Sequence, residues 1–288
     1  MTQTSLLVST DWLKAHLGDP DLRIVDATVY LRPQKDGAMS VENGQQDYDK
    51  GHIPGAVFAD VAGALSDSST PLRFMLPTPD QFASAMSDLG IGDDHRVVIY
   101  SGDHVMWATR LWWMFKVFGF DNAAVLDGGL AKWRADGNPL TTDAPNHATA
   151  SFTPAFRPDL VAARDDVKDA VDDGGTCLLN ALPEEIHRGT SPIHYGRPGH
   201  ITGSVNVSAF NLLDPASGTF LPADDLRSHF APVLSSDVAQ IISYCGGGIA
   251  ATADAFALAL LGQENVSVYD ASLQEWSADE TLPMSTDD

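Results

Sequence analysis

The chain repeats itself, and that repetition narrows its fold more than any other feature. Gly51-His52-Ile53-Pro54-Gly55-Ala56-Val57 returns as Gly199-His200-Ile201-Thr202-Gly203-Ser204-Val205, at an offset of 148 residues. Residues 97–102 (VVIYSG) return as 241–246 (IISYCG), with Ser101 opposite Cys245 at an offset of 144. Val125-Leu126-Asp127 with Trp133 returns as Val268-Tyr269-Asp270 with Trp276, at 143. Three blocks in one order at nearly one spacing imply two homologous domains, and 288 residues are enough for both. Residues 140–155 have the Pro, Thr and Asn content of a linker. The expected division is therefore 1–145 and 146–288.

Within each copy, short apolar runs alternate with helical patterns. In the first, 22–27, 96–100 and 123–126 read as strands, and 78–89 and 107–117 as helices, with Thr78 as N-cap and Pro79 in the first turn. In the second, 177–182 and 204–207 read as strands and 223–230 as a helix. Alternation of this kind predicts a parallel sheet with helices on its faces and a site beyond the C-terminal strand ends.

One candidate site falls there. Residues 238–244 (VAQIISY) read as a buried strand, 252–261 (TADAFALALL) as a helix, and Cys245-Gly246-Gly247-Gly248-Ile249-Ala250 joins them. Consecutive glycines allow a tight turn with N–H groups facing inward, and the positive end of the next helix points at the same place. Such a setting favours thiolate and leaves room for an anionic group on the sulfur. Cys245 is the expected nucleophile. Cys177, inside the apolar strand CLLN, is expected to be a core thiol.

Two cysteines give neither a disulfide framework nor zinc spacing. The triple glycine is not a dinucleotide fingerprint, and neither paired carboxylates nor a histidine cluster suggests a metal, so no cofactor is expected. There are 39 acidic residues against 17 basic ones, which argues against nucleic acid or an anionic membrane as partner. The N-terminal residues lack a basic region and a long apolar stretch, and residues 111–120 are too short to span a bilayer. The expectation is a cytoplasmic protein with reduced thiols.

The two GHI-x-G-x-V blocks, the strand–Cys–Gly loop–helix unit and the Asp-Gly-Gly…Trp segment at 127–133 resemble the rhodanese family over essentially the whole chain. The tandem form resembles thiosulfate and 3-mercaptopyruvate sulfurtransferases, in which the N-terminal domain lacks the cysteine, as Ser101 does here. The resemblance implies an α/β fold of two rhodanese-like domains, each a mainly parallel sheet flanked by helices. It implies a Cys245 persulfide that carries sulfane sulfur from a small anionic donor to a thiol or cyanide acceptor. The loop 245–250 would bind the donor through Gly246, Gly247, Gly248, Ile249 and Ala250. Gly246 matches the mercaptopyruvate type, and Arg188 and Arg197 stand near the family's substrate-binding arginines. The chain departs from the family at Gly247 and Ala250, which lack the usual hydroxyls, and at Asn180, where Asp is common. These departures motivate an alternative, a non-catalytic rhodanese-like binding or sulfur-carrier protein. A cysteine phosphatase would need an arginine closing the loop, and positions 250 and 251 are alanine.

Overall fold

The structure is a computed structural model, and it describes residues 5–33, 39–234 and 238–287. It divides into two compact units. The first comprises Met1–Ser68, Leu76–Arg157 and Pro215–Thr219; the second comprises Ser69–Met75, Pro158–Asp214 and Phe220–Asp288.

The first unit is built on five strands: β1 (Leu7–Val8), β2 (Leu22–Asp26), β3 (Ala56–Phe58), β4 (Arg96–Tyr100) and β5 (Ala123–Leu126). They lie in the order β1-β5-β4-β2-β3, and every pairing is parallel. Residues 97–100 and 123–126 are buried without alternation, as expected of strands covered on both faces. Helix α1 (Pro79–Asp88) starts where the Thr78 side chain accepts the Gln81 N–H at 3.2 Å. Helix α2 (Met106–Val117) is buried at every residue but Lys116. Helix α3 (Gly129–Ala135) follows β5. The polar stretch after β2 holds an antiparallel hairpin, Val29–Pro33 with Met39–Asn43.

The second unit repeats the plan with β6 (Val161–Ala162), β7 (Thr176–Asn180), β8 (Val205–Asn206), β9 (Gln240–Tyr244) and β10 (Val266–Tyr269). The order is β6-β10-β9-β7-β8, again all parallel. First, fifth, fourth, second, third is the order in both sheets, so the sequence repeat is a structural one. Helix α4 (Ala250–Leu260) follows β9, with residues 250–258 all buried, and α5 (Ser272–Trp276) follows β10. Among the described residues, no helix is long and apolar enough to cross a membrane.

The changeover between units falls at 157/158 rather than at the expected 145/146. Residues 146–157 pack on the first unit. Ala155 N–H donates to the Phe118 carbonyl at 2.8 Å and Arg157 N–H to that of Val117 at 2.7 Å. The Arg157 guanidinium forks onto both oxygens of Asp121, and Phe152 is buried among Phe82, Phe115 and Phe120. Linker-like composition does not make this stretch a free linker.

Candidate active site

β9 ends at Tyr244 and α4 begins at Ala250, so Cys245 sits at the C-terminal edge of the second sheet and is only 2% exposed. The loop is laced to the start of α5. The N–H groups of Cys245 and Gly248 donate to the same acceptor, the Ser272 hydroxyl oxygen, at 3.0 and 3.1 Å. The Ser272 hydroxyl in turn donates to the Tyr269 carbonyl at 2.7 Å. Leu273 and Gln274 N–H groups take the carbonyls of Cys245 and Gly246 at 3.1 and 2.9 Å. To do this Ser272 adopts φ 52°, a left-handed conformation that costs a non-glycine residue about 1–2 kcal/mol; three hydrogen bonds hold it there. Among the described residues, the N–H groups of Gly246, Gly247 and Ile249 have no protein partner. With the N-terminus of α4 behind them, they are donors left over for an anion.

Each glycine has a neighbour. The ring of Tyr195 lies over Gly246, where an added Cβ would meet its Cζ at 2.0 Å. Gly247 faces the Gln274 amide, 3.2 Å from where a Cβ would stand. That amide exchanges two hydrogen bonds of 2.9 Å with the backbone of Arg73, fastening Ser69–Met75 to the loop's rim. Ile249 and Ala250 are buried at the helix start.

The floor of the site is neutral. Tyr244, fully buried, takes the Ile201 N–H at 3.1 Å and bonds the Ser204 hydroxyl at 2.6 Å; burial raises its phenol far beyond the usual range, so it stays an O–H. Asn180, also fully buried, bonds His187 Nδ1 through its amide nitrogen at 3.0 Å and accepts the Leu182 N–H at 3.0 Å. Asn180 thus joins the start of the turn after β7 to the His187 ring, at a position where the family often has Asp. His187 stacks on His200 with centroids 3.8 Å apart and planes 10° from parallel. Burial first, and His200 second, hold His187 down to about 4. Asp287 is near enough to both rings to suggest a cation site. Imidazole lone pairs lie in the ring plane, however, and no single ion lies in two parallel planes.

The arginines do not meet the loop as expected. Arg197 donates to the backbone carbonyls of Trp276, Ser277, Asp279 and Leu282 at 2.7–3.3 Å, so it clamps the chain's C-terminal segment and is not free to hold a substrate. Arg188 is half-exposed beside Glu184, 3.9 Å away. It lines a cleft of about 520 Å³ with His187, Asn206, Ser208 and His229, to which the loop does not contribute. Cys177 pairs in register with Ile241, four residues before Cys245, about 13 Å away at strand rise. It is partly exposed rather than fully in the core, and burial pushes its thiol up.

With this geometry in hand, similarity to known proteins is decisive. The rhodanese-like domain family matches residues 9–136 and 164–279. A thiosulfate/3-mercaptopyruvate sulfurtransferase of Arabidopsis thaliana is 38% identical, over 96% of this chain and 86% of its own length. The chain belongs to the tandem-domain rhodanese family of sulfurtransferases. A 3-mercaptopyruvate sulfurtransferase of Escherichia coli is 36% identical over 98% of both chains. The crystal structure of SseA from Escherichia coli, described as a 3-mercaptopyruvate sulfotransferase with the rhodanese fold, superposes with a TM-score of 0.82 at 36% identity, covering 93% of this chain and 99% of that one.

For a rhodanese, the expected fold is the one observed: two mainly parallel sheets flanked by helices. Three contributors to the loop's surroundings escape a reading of the sequence. Ser272 was detectable, since it stands where the first copy has Gly129. Tyr195 and Arg73 carry no signal of their own, because only folding brings them to the loop.

Proposed function

We propose that this rhodanese-family sulfurtransferase moves sulfane sulfur through a persulfide on Cys245, with 3-mercaptopyruvate as the preferred donor and thiosulfate as a poorer one. The observation that carries the reading is the set of uncommitted N–H groups at Gly246, Gly247 and Ile249 beside a buried cysteine at a helix N-terminus. The Cys245 thiolate attacks the sulfur of the donor. The S–S bond forms as the donor's C–S bond breaks, and the departing pyruvate enolate takes a proton to become pyruvate. The terminal sulfur carries the negative charge, and the free N–H groups are placed to stabilise it. An acceptor thiolate then attacks that sulfur, and Cys245 leaves as thiolate.

Donor preference follows from position 246. A thiosulfate-type cation directly after the nucleophile has no room, because Tyr195 fills the space where a side chain would begin. Arg188, which lines a separate cleft, is a candidate contact for an acceptor or for the donor's far end. The acidic composition disfavours nucleic-acid partners. Two free thiols and a persulfide intermediate suit a reducing compartment such as the cytoplasm.

Intact mass spectrometry after incubation with each donor tests the reading. One added sulfur on Cys245 is expected with 3-mercaptopyruvate, together with a higher kcat/KM than for thiosulfate. Equal or better turnover of thiosulfate would overturn the donor assignment, and loading on Cys177 instead would overturn the mechanism.

A further inference from the structure

The loop contains no cation, Arg197 is committed to carbonyls and Arg188 lies in another cleft. An anionic donor approaching this acidic chain therefore needs some other group to orient it. The turn before the second His-Ile block supplies one. Tyr195 is held on both sides: its carbonyl accepts the Ser277 hydroxyl at 2.7 Å, and two residues on Arg197 is bound to carbonyls of the 276–282 segment. So anchored, its ring covers Gly246. A Cβ built there would meet Cζ at 2.0 Å, Cε1 at 2.1 Å and the hydroxyl oxygen at 2.5 Å. The residue is 40% exposed, so part of it faces the solvent from which a donor arrives. Among the described residues the hydroxyl has no hydrogen-bond partner. Burial first, and Cys245 second, push the phenol up to about 12, so it remains an O–H donor at physiological pH.

We infer that Tyr195 determines donor specificity: its ring walls the mouth of the loop over Gly246, and its hydroxyl donates a hydrogen bond to the anionic end of a donor seated on Cys245. The inference rests on the sulfurtransferase reading above. It makes positions 195 and 246 a coupled pair. Tyr195 keeps position 246 a glycine, and the glycine lets the phenol come close to the nucleophile.

Two sets of variants test it in the full chain. Tyr195→Phe keeps the wall and removes the donor. A hydrogen bond to a charged group contributes about 1.5–3 kcal/mol, so KM for 3-mercaptopyruvate should rise on the order of tenfold or more while kcat is largely retained. Gly246→Ala should lower Tm and slow turnover in the wild-type background and be tolerated in Tyr195→Ala, a non-additivity that independent sites do not show. Tyr195→Phe with unchanged KM, or Gly246→Ala equally damaging in both backgrounds, overturns the inference while leaving the sulfurtransferase reading in place. Failure of the wild type to load sulfur from either donor overturns both, and the two failures are thereby distinguishable.

Discussion

The two units make the same turn at the same place and finish it differently. In the first, Ser101 follows β4 and the next residues find partners: Gly102 N–H donates to the Thr28 hydroxyl at 2.7 Å, Asp103 N–H to the Ser101 side chain at 3.1 Å and Met106 N–H to His104 at 3.2 Å. In the second, glycines provide no side chains to cap the turn, and the N–H groups of Gly246, Gly247 and Ile249 stay open. The segment behind the turn differs in a complementary way. Gly129, at φ 55°, lies so close to Ser101 that a Cβ would meet its carbonyl oxygen at 2.6 Å; Ser272, at φ 52°, brings a hydroxyl that ties down two loop N–H groups. The two loops differ here less by their fold than by which N–H donors they leave unsatisfied.

The difference between the units is tested most severely at Cys245, the nucleophile proposed above. Cys245→Ser should abolish transfer, by at least about a thousandfold, with an unchanged circular dichroism spectrum. Ser101→Cys in that background should not restore it, because the Gly102 and Asp103 N–H groups, the counterparts of Gly246 and Gly247, already have partners. Sulfur loading on a cysteine at position 101 would show that the loop chemistry is not what separates the units.

Next in size is Ser272→Gly, which gives the second unit the first unit's residue. Glycine accepts φ 52° without strain, so stability should change little. Loss of the shared hydroxyl should slow persulfide formation about tenfold to a hundredfold, as expected for hydrogen bonds of roughly 1–3 kcal/mol. Single-turnover loading within twofold of wild type would show that the loop holds its shape without Ser272.

A smaller effect concerns the ring stacks. His52 stacks on Tyr48 and His200 on His187, each histidine bonding its partner's carbonyl at 2.8 Å. Tyrosine does not titrate near neutrality, whereas His187 is held down to about 4. A depressed folded value means that the unfolded chain takes up the proton first. The stability contributed by neutral His187 is thus complete above about pH 6.5 and lost as pH falls toward 4. Between pH 7.5 and 5, urea unfolding should register a loss of roughly 1–2 kcal/mol that His187→Tyr reduces. Equal pH slopes in both proteins would remove His187 as the cause.

Smallest of all, Cys177→Ser should leave transfer intact and cost at most about 1 kcal/mol, since the residue is partly exposed and sits at the far end of its strand.

The strand–helix alternation was legible because it rests on contiguous apolar runs: β2, β4, β5 and β9 lie where hydrophobic patterning places them. β1 and β6 are two residues each and too short to show a period. The hairpin at Val29–Pro33 and Met39–Asn43 runs into residues 32–50, too polar to show an apolar strand pattern. At the site, the cysteine and its glycines were legible because they are consecutive. Arg197 was misread as a substrate contact because sequence proximity to the second His-Ile block says nothing of the four carbonyls it meets. Tyr195 was missed because its proximity to Gly246 depends on a turn anchored from 80 residues downstream, through Ser277 and Arg197.

The segments that cross between units bear on how the polypeptide is made. Pro215–Thr219 belongs to the first unit and Ser69–Met75 to the second. On the ribosome, where domains tend to fold in order of emergence, the first unit therefore lacks its last piece until residue 219 has left the exit tunnel, when about half of the second is already outside. Residues 69–75 emerge early and wait for Gln274, about 200 residues later in the sequence. The surroundings of the Cys245 loop are thus completed only once residue 274 has emerged, and a nascent chain released earlier would carry Cys245 without them.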